Sequence, residues 1–373
     1  MIYFDSAASY PILDEALEDL KHALTTHQAN PSSSHFLGQR AFEVVEETRE
    51  KIANAIGAFP SEIIFTSGAT ESNNLALKSH FSLQKHSAKR QLIISSIEHK
   101  CVHAIADYLK RAENITVTTI KPNQHGIITP EAVSKAITEE TSLVSVMHIN
   151  NELGTENPLF AIGEVCFERN VQFHTDAAQS FLKLPIDVDE MNIDYLSLSA
   201  HKIGGPKGIG AVYLRDRRNK DFEPVIHGAG QEQGLRGGTL AAPLISSFGK
   251  AVDLFPSTYS KIKSLQLKEK LLEQLRNRAI DFKVNGDSID SIVSLSLPST
   301  DVPNLIRQSF KDLALATGSA CSSKEIEASH VLTAIGLNRE TAEATLRISF
   351  HHNQTVADIL ELVRAIENHS IHQ

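Results

Sequence analysis

The chain has 373 residues, of which 41% are hydrophobic and 22% are charged, and its formal net charge is −9. This length accommodates one large and one smaller domain, and the composition is ordinary for a soluble globular protein. The negative charge argues against a general nucleic-acid surface, and no segment approaches the roughly 20 apolar residues that span a membrane. No signal peptide precedes Tyr3, so we expect a cytoplasmic protein.

The first informative segment is an apolar strand that runs into a turn of small residues. Residues 62–65 predict the strand, residues 66–68 predict the turn, and a helix is expected to start near Thr70. Small residues let the backbone approach an anion, and a helix N-terminus offers free N–H groups. The segment therefore predicts a phosphate cradle, although a plain strand-to-helix turn with a Ser/Thr cap has the same pattern.

A histidine, His99, follows the next predicted strand. Its imidazole could stack on a flat cofactor ring, and a capping or core histidine is the alternative. Its neighbour Lys100 is interpreted as a solvated charge, and Cys101 and Cys166 as packing residues. Because these cysteines and Cys321 have no metal-like spacing, we predict no metal site.

Apolar runs alternate with helical or mixed stretches through the middle of the chain. They lie at residues 92–94, 115–117, 143–147, 172–174 and 195–198. This alternation predicts an α/β fold with a largely parallel sheet between helices. The run at 209–214 follows a Gly-Pro-Lys-Gly turn and predicts an antiparallel return strand. Residues 259–278 predict a helix that leads into a second, α+β region.

Two of these runs are followed by residues that can carry chemistry. Asp176 ends one of them and Lys202 follows another. Functional sites gather at the carboxyl ends of parallel strands, so we expect the two residues to meet. Taken singly, Asp176 would be interpreted as a helix N-cap and Lys202 as a surface charge. Together they predict a site for pyridoxal phosphate, which needs a lysine for its aldehyde and an acid for its pyridinium nitrogen.

Cys321 differs from the other two cysteines because it lies among glycines and serines in a polar loop over residues 316–323. A thiol gains nothing from burial in such a loop. An exposed thiol without a packing role is a candidate nucleophile.

These motifs, in this order, resemble those of the cysteine desulfurases, of the NifS/IscS type in the fold-type I, class V aminotransferase group. They lie at Thr66–Ser72, Glu98–Lys100, His148–Gly154, Asp176–Gln179, Ser199–Gly208 and Ala316–Ser323. The resemblance extends from residues 4–8 to residues 346–349, and the loop around Cys321 is its strongest discriminator. It implies a large domain over 13–250 that binds pyridoxal phosphate on a mainly parallel seven-stranded sheet. It also implies a small α+β domain, formed by 1–12 with 251–373, that carries the Cys321 loop.

The resemblance implies roles for individual residues. Lys202, Cys321 and His99 would be catalytic. The cofactor would be held by Ala69, Thr70, His99, Asn151, Asp176, Gln179, Ser199, His201, Lys202 and Thr239. Thr239 would reach the phosphate in the partner subunit, which makes the homodimer obligatory for a full site. The substrate would be bound by Asn151, Asn30 and Arg347, with the arginine on its α-carboxylate.

The implied reaction removes sulfur from L-cysteine, gives L-alanine and leaves a persulfide on Cys321 that passes to an acceptor protein. Iron–sulfur cluster assembly, tRNA thiolation and DNA phosphorothioation all remain open as destinations. Selenocysteine lyase or another enzyme of the same group, such as a transaminase, is the alternative, but a transaminase has no use for the Cys321 loop. A non-enzymatic scaffold has no reason to keep these chemical groups together. Departures from the family pattern, such as His351-His352 after Arg347, bear on the acceptor and not on the chemistry.

Overall fold

The computed structural model describes residues 1–83, 87–215, 222–286, 289–317 and 329–370. Its strands are β1 (Ile2–Tyr3), β2 (Ile63–Thr66), β3 (Gln91–Ser95), β4 (Thr116–Ile120), β5 (Thr141–Ser145), β6 (Gln172–Asp176), β7 (Tyr195–Ser199), β8 (Gly210–Leu214), β9 (Lys283–Asn285), β10 (Ile292–Ser296), β11 (Leu313–Ala314), β12 (Ala316–Thr317) and β13 (Thr345–Ser349). Its α-helices are α1 (Asp14–Thr26), α2 (Phe36–Ala55), α3 (Ala69–Leu83), α4 (Lys100–Ala112), α5 (Pro130–Ala136), α6 (Leu159–Glu168), α7 (Ala242–Thr258), α8 (Lys261–Asn277), α9 (Val302–Ser309), α10 (His330–Ala334), α11 (Arg339–Glu343) and α12 (Val356–Asn368).

The largest unit of the fold is a seven-stranded sheet in the order β2-β8-β7-β6-β5-β3-β4. The five strands from β7 to β4 are parallel to one another. Strand β8 is antiparallel to both of its neighbours, so the predicted return strand is confirmed. Strands β2, β3, β5, β7 and β8 are buried along their whole length. Strands covered on both faces give the near-continuous apolar runs that the sequence displays.

Helices cover both faces of this sheet, as predicted. On one face α2, α6 and α7 pack through Ile52, Ile162 and Phe248. On the other face α3 and α4 pack through Leu77 and Val102. Each such large apolar side chain, when fully buried, stabilises the fold by about 1.5–3 kcal/mol.

A smaller α+β unit follows, as the sequence predicts. It contains a four-stranded antiparallel sheet in the order β12-β13-β10-β9. Its apolar core includes Phe4 from the start of the chain, Leu271 from α8 and Val363 from α12. Strand β1 also pairs with β11, which joins the first residues to this unit. Helix α7 packs in the core beside the seven-stranded sheet as far as Phe255, which lies beyond the predicted domain boundary at residue 250. The exact boundary stays a prediction.

Two observations concern the described ranges as a whole. No helix in them is both long and apolar enough to cross a membrane. No cluster of three or more His, Cys, Asp or Glu side chains in them is placed to hold a metal ion. Cys166 lies on α6 and is fully buried in the core, as expected of a packing residue.

Candidate active site

A cavity of about 480 Å³ opens where β6 and β7 end. Its walls come from the start of the chain, the turn after β2, the segments that follow the central strands, and β13. The structure brings ten of the predicted site residues to it: Ala69, Thr70, His99, Asn151, Asp176, Gln179, Ser199, His201, Lys202 and Arg347. The strand-end rule explains this convergence, since neighbouring parallel strands end at the same edge of a sheet.

Lys202 lies in a short 3₁₀ turn directly after β7. Its Nζ donates hydrogen bonds to the backbone oxygens of Ala7, at 2.7 Å, and Ala8, at 2.9 Å. Burial lowers the pKa of the Lys202 amine to about 8, and the positive charge of Arg347 acts in the same direction. A minor but appreciable fraction of the amine is therefore neutral near physiological pH, and the neutral amine is the form that can attack an aldehyde.

Asp176 ends β6 and is 5% exposed. Its Oδ1 accepts a hydrogen bond from the Ala178 N–H at 2.9 Å, and its Oδ2 accepts one from Asn73 Nδ2 at 2.8 Å. The first bond is the local backbone bond that a capping aspartate would make, yet the carboxylate also lines the cavity. Asn73 was missed by the sequence analysis. It is fully buried and lies one residue after the Thr66–Ser72 motif, which was the only available signal.

The turn after β2 leads into α3, which begins at Ala69 as predicted. Gly68 adopts a φ of 146°, a conformation that favours glycine. The turn also lies close to β8, because a Cβ on Gly210 would come within 2.6 Å of the Gly68 Cα. The first N–H groups of α3 have no partner inside the helix, and the helix dipole favours an anion beside them. This edge of the cavity can therefore hold a phosphate group.

Ser199 and His201 line the same cavity, and Ser199 lies beside that turn, since its Oγ would be 3.4 Å from a Cβ on Gly68. The Nδ1 of His201 is 3.3 Å from the Ser9 hydroxyl. Burial lowers the pKa of His201 to about 4, and the charges of Lys202 and Lys207 add to the effect. The imidazole is thus neutral at physiological pH and offers hydrogen bonds without a charge.

The position of His99 is compatible with both predicted roles, a helix cap and a residue that faces the cofactor. It is the N-cap of α4, where its Nδ1 accepts a hydrogen bond from the Cys101 N–H at 3.2 Å. Its ring also lines the cavity, and burial lowers its pKa while Asp176 raises it. Because Nδ1 is an acceptor, the neutral ring carries its proton on Nε2.

Glu98, directly before His99, is fully buried. Its Oε1 accepts hydrogen bonds from the Ser95 hydroxyl at 2.5 Å and from the Met147 N–H at 2.8 Å. Burial raises the pKa of this carboxyl to about 8. Glu98 therefore ties the end of β3 to the segment after β5 and is mostly protonated at neutral pH.

Gln179 lies in the turn after β6 and contacts the N-terminal segment. Its Nε2 donates to the Ala7 carbonyl at 2.7 Å, and its Oε1 accepts from Lys183 Nζ at 3.3 Å. The amide nitrogen carries two hydrogens, one of which is used in this contact. The other is available to a ligand oxygen, as the predicted role requires.

Arg347, on β13, is 8% exposed and lines the cavity from the small unit. Its Nη2 lies 2.6 Å from Asp5 Oδ1, and its Nη1 donates to the Asn151 carbonyl at 3.0 Å. Its buried Nε has no hydrogen-bond partner among the described residues. A guanidinium held in this way is a suitable anchor for a carboxylate.

Cys101 is interpreted from the sequence as a packing residue, and it does pack against the core that contains α3 and α4. It also lines the cavity, where its Sγ accepts a hydrogen bond from Asn73 Nδ2 at 3.3 Å. Burial raises the pKa of the thiol to about 11, so it stays protonated. The neighbouring Lys100 is exposed, as expected.

Among the predicted residues that the structure describes, Asn30 and Thr239 do not line this cavity. Asn30 is exposed and lies away from its lining. Thr239 is exposed in a loop whose Arg236 pairs with Glu71 at 2.8 Å, beside the phosphate turn. Its predicted role in the partner subunit stays a prediction. Cys321 lies outside the described residues.

The fold and this cavity define a class of protein. The chain belongs to the aminotransferase class-V family, whose model matches residues 2–362.

Within that family the chain is similar to cysteine desulfurases. Cysteine desulfurase IscS of Rickettsia felis is 42% identical over 365 residues, which cover 96% of this chain and 88% of that protein. A mitochondrial cysteine desulfurase of Candida albicans is 41% identical over 374 residues, covering 98% and 76%. A solved structure described as SspA in complex with cysteine is 43% identical, has a TM-score of 0.85, and matches 95% of this chain and 100% of that one.

Proposed function

We propose that this chain is a pyridoxal phosphate-dependent cysteine desulfurase, which takes sulfur from L-cysteine and releases L-alanine. The observation that carries the proposal is the meeting of Lys202 and Asp176 in one cavity at the ends of neighbouring strands. The similarity to cysteine desulfurases, and to a structure whose description names bound cysteine, supports cysteine as the substrate.

The residues of the cavity fit this cofactor. Lys202 offers an amine with a lowered pKa, Asp176 a carboxylate fixed by two hydrogen bonds, and the start of α3 an anion site at the cavity edge. When bound, pyridoxal phosphate supplies an aldehyde for the lysine and an electron-withdrawing ring that stabilises negative charge at the substrate α-carbon. Asp176 would hold the proton on the ring nitrogen. The phosphate would lie among Ala69, Thr70, Ser199 and His201.

The remaining polar groups would position the reactants. The neutral His99 ring would stack on the cofactor, and the free hydrogen of the Gln179 amide would face the ring's phenolic oxygen, beside Asn151. The freed Lys202 amine would take the substrate α-proton, because burial lowers its pKa to about 8 and makes the neutral, basic form accessible. Arg347 would bind the substrate α-carboxylate. Asn30 would line the substrate side.

Cys321 would accept the sulfur. Its thiolate would attack the substrate Sγ, the Sγ–Cβ bond would break, and the bonding electron pair would stay with the substrate carbon. Protonation of that carbon would give alanine, and Cys321 would hold a persulfide for an acceptor protein. Iron–sulfur cluster assembly, tRNA thiolation and DNA phosphorothioation are the candidate pathways.

The proposal extends to the assembly and place of the enzyme. We infer a homodimer in which Thr239 completes the phosphate site of the partner subunit, and a cytoplasmic location. We also infer a large cofactor domain over 13–250 and a small domain formed by 1–12 with 251–373. The similarity to proteins named cysteine desulfurases favours this function over selenocysteine lyase or transaminase activity.

Peptide mass spectrometry after incubation of the cofactor-loaded protein with L-cysteine tests the proposal. We expect a gain of one sulfur atom on Cys321 and stoichiometric alanine. Lys202→Ala should abolish both, because the lysine provides the amine chemistry. Lys100→Ala, which removes an exposed lysine nearby, is the matched control and should retain both. A loaded protein that forms neither product from L-cysteine would contradict the proposal.

A further inference from the structure

A second lysine, Lys183, is buried behind the cavity, and the proposed reaction does not use it. It is 9% exposed, and its hydrogen-bond partner among the described residues is the Gln179 side-chain oxygen, at 3.3 Å. Burial lowers the pKa of Lys183 to about 7, and the positive charge of Lys202 adds to the effect. Lysine is seldom buried without a carboxylate partner. Its presence here therefore needs an explanation.

The backbone before Lys183 is also unusual. Leu182 has a φ of 60°, in the left-handed region that leucine rarely adopts. The turn is held by hydrogen bonds from the Lys183 and Leu184 N–H groups to the Ser180 carbonyl, at 2.9 and 3.0 Å. Leu184 packs with Ala7 in a small apolar cluster, so the turn is fixed against the N-terminal segment. A strained residue kept in place by its surroundings is often found next to a functional site.

We propose that Lys183 is a positioning residue that acts on the cavity through Gln179 and the Ala7 carbonyl. A glutamine amide can point either way, and its partners decide which. The ammonium or amine of Lys183 donates to Oε1, and the Ala7 carbonyl can only accept, from Nε2. Both partners select the same orientation, which turns the second amide hydrogen of Gln179 toward the cavity.

The same carbonyl connects Lys183 to the proposed catalytic lysine. Ala7 accepts a hydrogen bond from Gln179 Nε2 and one from Lys202 Nζ, each at 2.7 Å. The repulsion between the two ammonium groups is mutual, so a proton on Lys183 makes a proton on Lys202 less favourable. The other charges that act on Lys202 are Arg347, which opposes its protonation, and Asp176 and Asp5, which favour it.

Hydrogen exchange in the cofactor-free protein tests the positioning role without any enzymatic activity. In Lys183→Met, which cannot donate a hydrogen bond, we expect faster amide exchange in the peptide over residues 5–10, because the Gln179 amide is no longer fixed. Lys183→Arg keeps a donor and should restore slow exchange. Lys268→Met removes another half-buried lysine, on α8, and should leave this peptide unchanged. Unchanged exchange in Lys183→Met would overturn the inference.

Acetylation of Lys202, followed by peptide mass spectrometry across pH, tests the charge coupling. An arginine at position 183 stays charged, so Lys183→Arg should lower the pH midpoint of Lys202 reactivity by roughly 0.5–1 pH unit. In Lys183→Met the midpoint should stay near the natural value of about 8, because Lys183 loses its proton before Lys202 does. A midpoint that is the same in Lys183→Arg as in the natural protein would overturn the coupling. This arm remains informative if Lys183→Met fails to fold.

A third readout rests on the proposed function. In the pyridoxal phosphate-loaded protein, Lys183→Met should shift the pH midpoint at which the cofactor absorbance changes. In Lys183→Arg the cofactor absorbance should still respond to substitution of Gln179. Gln179→Met should shift the midpoint in the same way, and adding Lys183→Met to that variant should change nothing more. A protein that never binds the cofactor would refute the proposed function, while the two cofactor-free experiments would still decide the role of Lys183. Independent effects of the two substitutions would overturn the inference.

Discussion

The two sides of the cavity are built in different ways. The sheet side, defined here as Asp176 and Lys202, is placed by buried neighbouring strands, β6 and β7. The crossing side, defined here as residues 5–8 and Arg347, is assembled from the two ends of the chain: Arg347 and Asp5 are 342 positions apart. Asp176 and Lys202 follow paired strands of one sheet, whereas the crossing side joins Arg347 on β13 of the smaller sheet to the start of the chain, through the contact with Asp5 and a backbone hydrogen bond from Ser349 to Phe4. We therefore expect the sheet side to govern the rate of the chemistry and the crossing side to govern substrate binding.

The largest effect should follow Asp176→Asn on the sheet side. An amide cannot stabilise a positive charge on the cofactor nitrogen as a carboxylate does, so kcat should fall about 10²–10³-fold. The KM for L-cysteine should change much less, because in the proposed function Asp176 would contact the cofactor and not the substrate carboxylate. Alanine formation under steady-state conditions measures both. Asp253→Asn removes an exposed carboxylate on α7 and is the control. A change in KM larger than the change in kcat would contradict the expectation that the sheet side governs the rate of the chemistry.

The next effect concerns the buried ion pair that holds the loop of Thr239 to α2 and β2. Arg49 and Glu232 form two hydrogen bonds, at 2.8 and 2.9 Å, and Glu232 also accepts one from the Phe65 N–H at 2.7 Å. Glu232→Gln removes the buried counter-charge of Arg49 and leaves only the partly exposed Glu46, 3.0 Å from its Nε, so the free energy of unfolding should fall by about 3–5 kcal/mol. Urea unfolding measures the loss.

The control for that pair is Glu343→Gln, which disrupts an exposed pair with Arg339. Its cost should be much smaller than that of Glu232→Gln, since water already solvates both charges. Equal costs for the two substitutions would show that the buried pair does not anchor the loop.

The same contrast explains how much the sequence could predict. Asp176 and Lys202 could be predicted because each follows an apolar run, and the strand-end rule brings such residues together. Nothing local indicated that Ala7 and Ala8 would hold Lys202 through their carbonyls, since Ala7 and Lys202 are 195 positions apart. Asn73 was missed for a related reason: its partner Asp176 lies 103 positions away. Contacts between distant residues depend on packing, which a pattern of residue types does not encode.

Arg347→Lys tests the crossing side. Lysine keeps the charge but loses the planar fork that binds a carboxylate through two hydrogen bonds. We expect the KM for L-cysteine to rise about 30–100-fold with a smaller change in kcat, the reverse of the split expected for Asp176→Asn. Arg339→Lys, at an exposed position on α11, should leave both constants unchanged. A fall in kcat larger than the rise in KM would indicate that Arg347 takes part in the chemical step. The division into a side that governs the rate and a side that governs substrate binding would then be wrong.

The smallest expected effect is a pH dependence of the stability caused by Glu98, the buried residue directly before His99. Burial raises the pKa of this carboxyl from 4.5 to about 8, so its contribution to stability is complete below pH 4.5 and is lost as the pH rises through 8. Between about pH 7 and about pH 9 the natural protein should lose roughly 1–2 kcal/mol from this group. Glu98→Gln imitates the protonated form and should lose less over the same interval in urea unfolding. An identical decline in both proteins would mean that Glu98 is already ionised in its buried position, and that the protein tolerates a buried negative charge there.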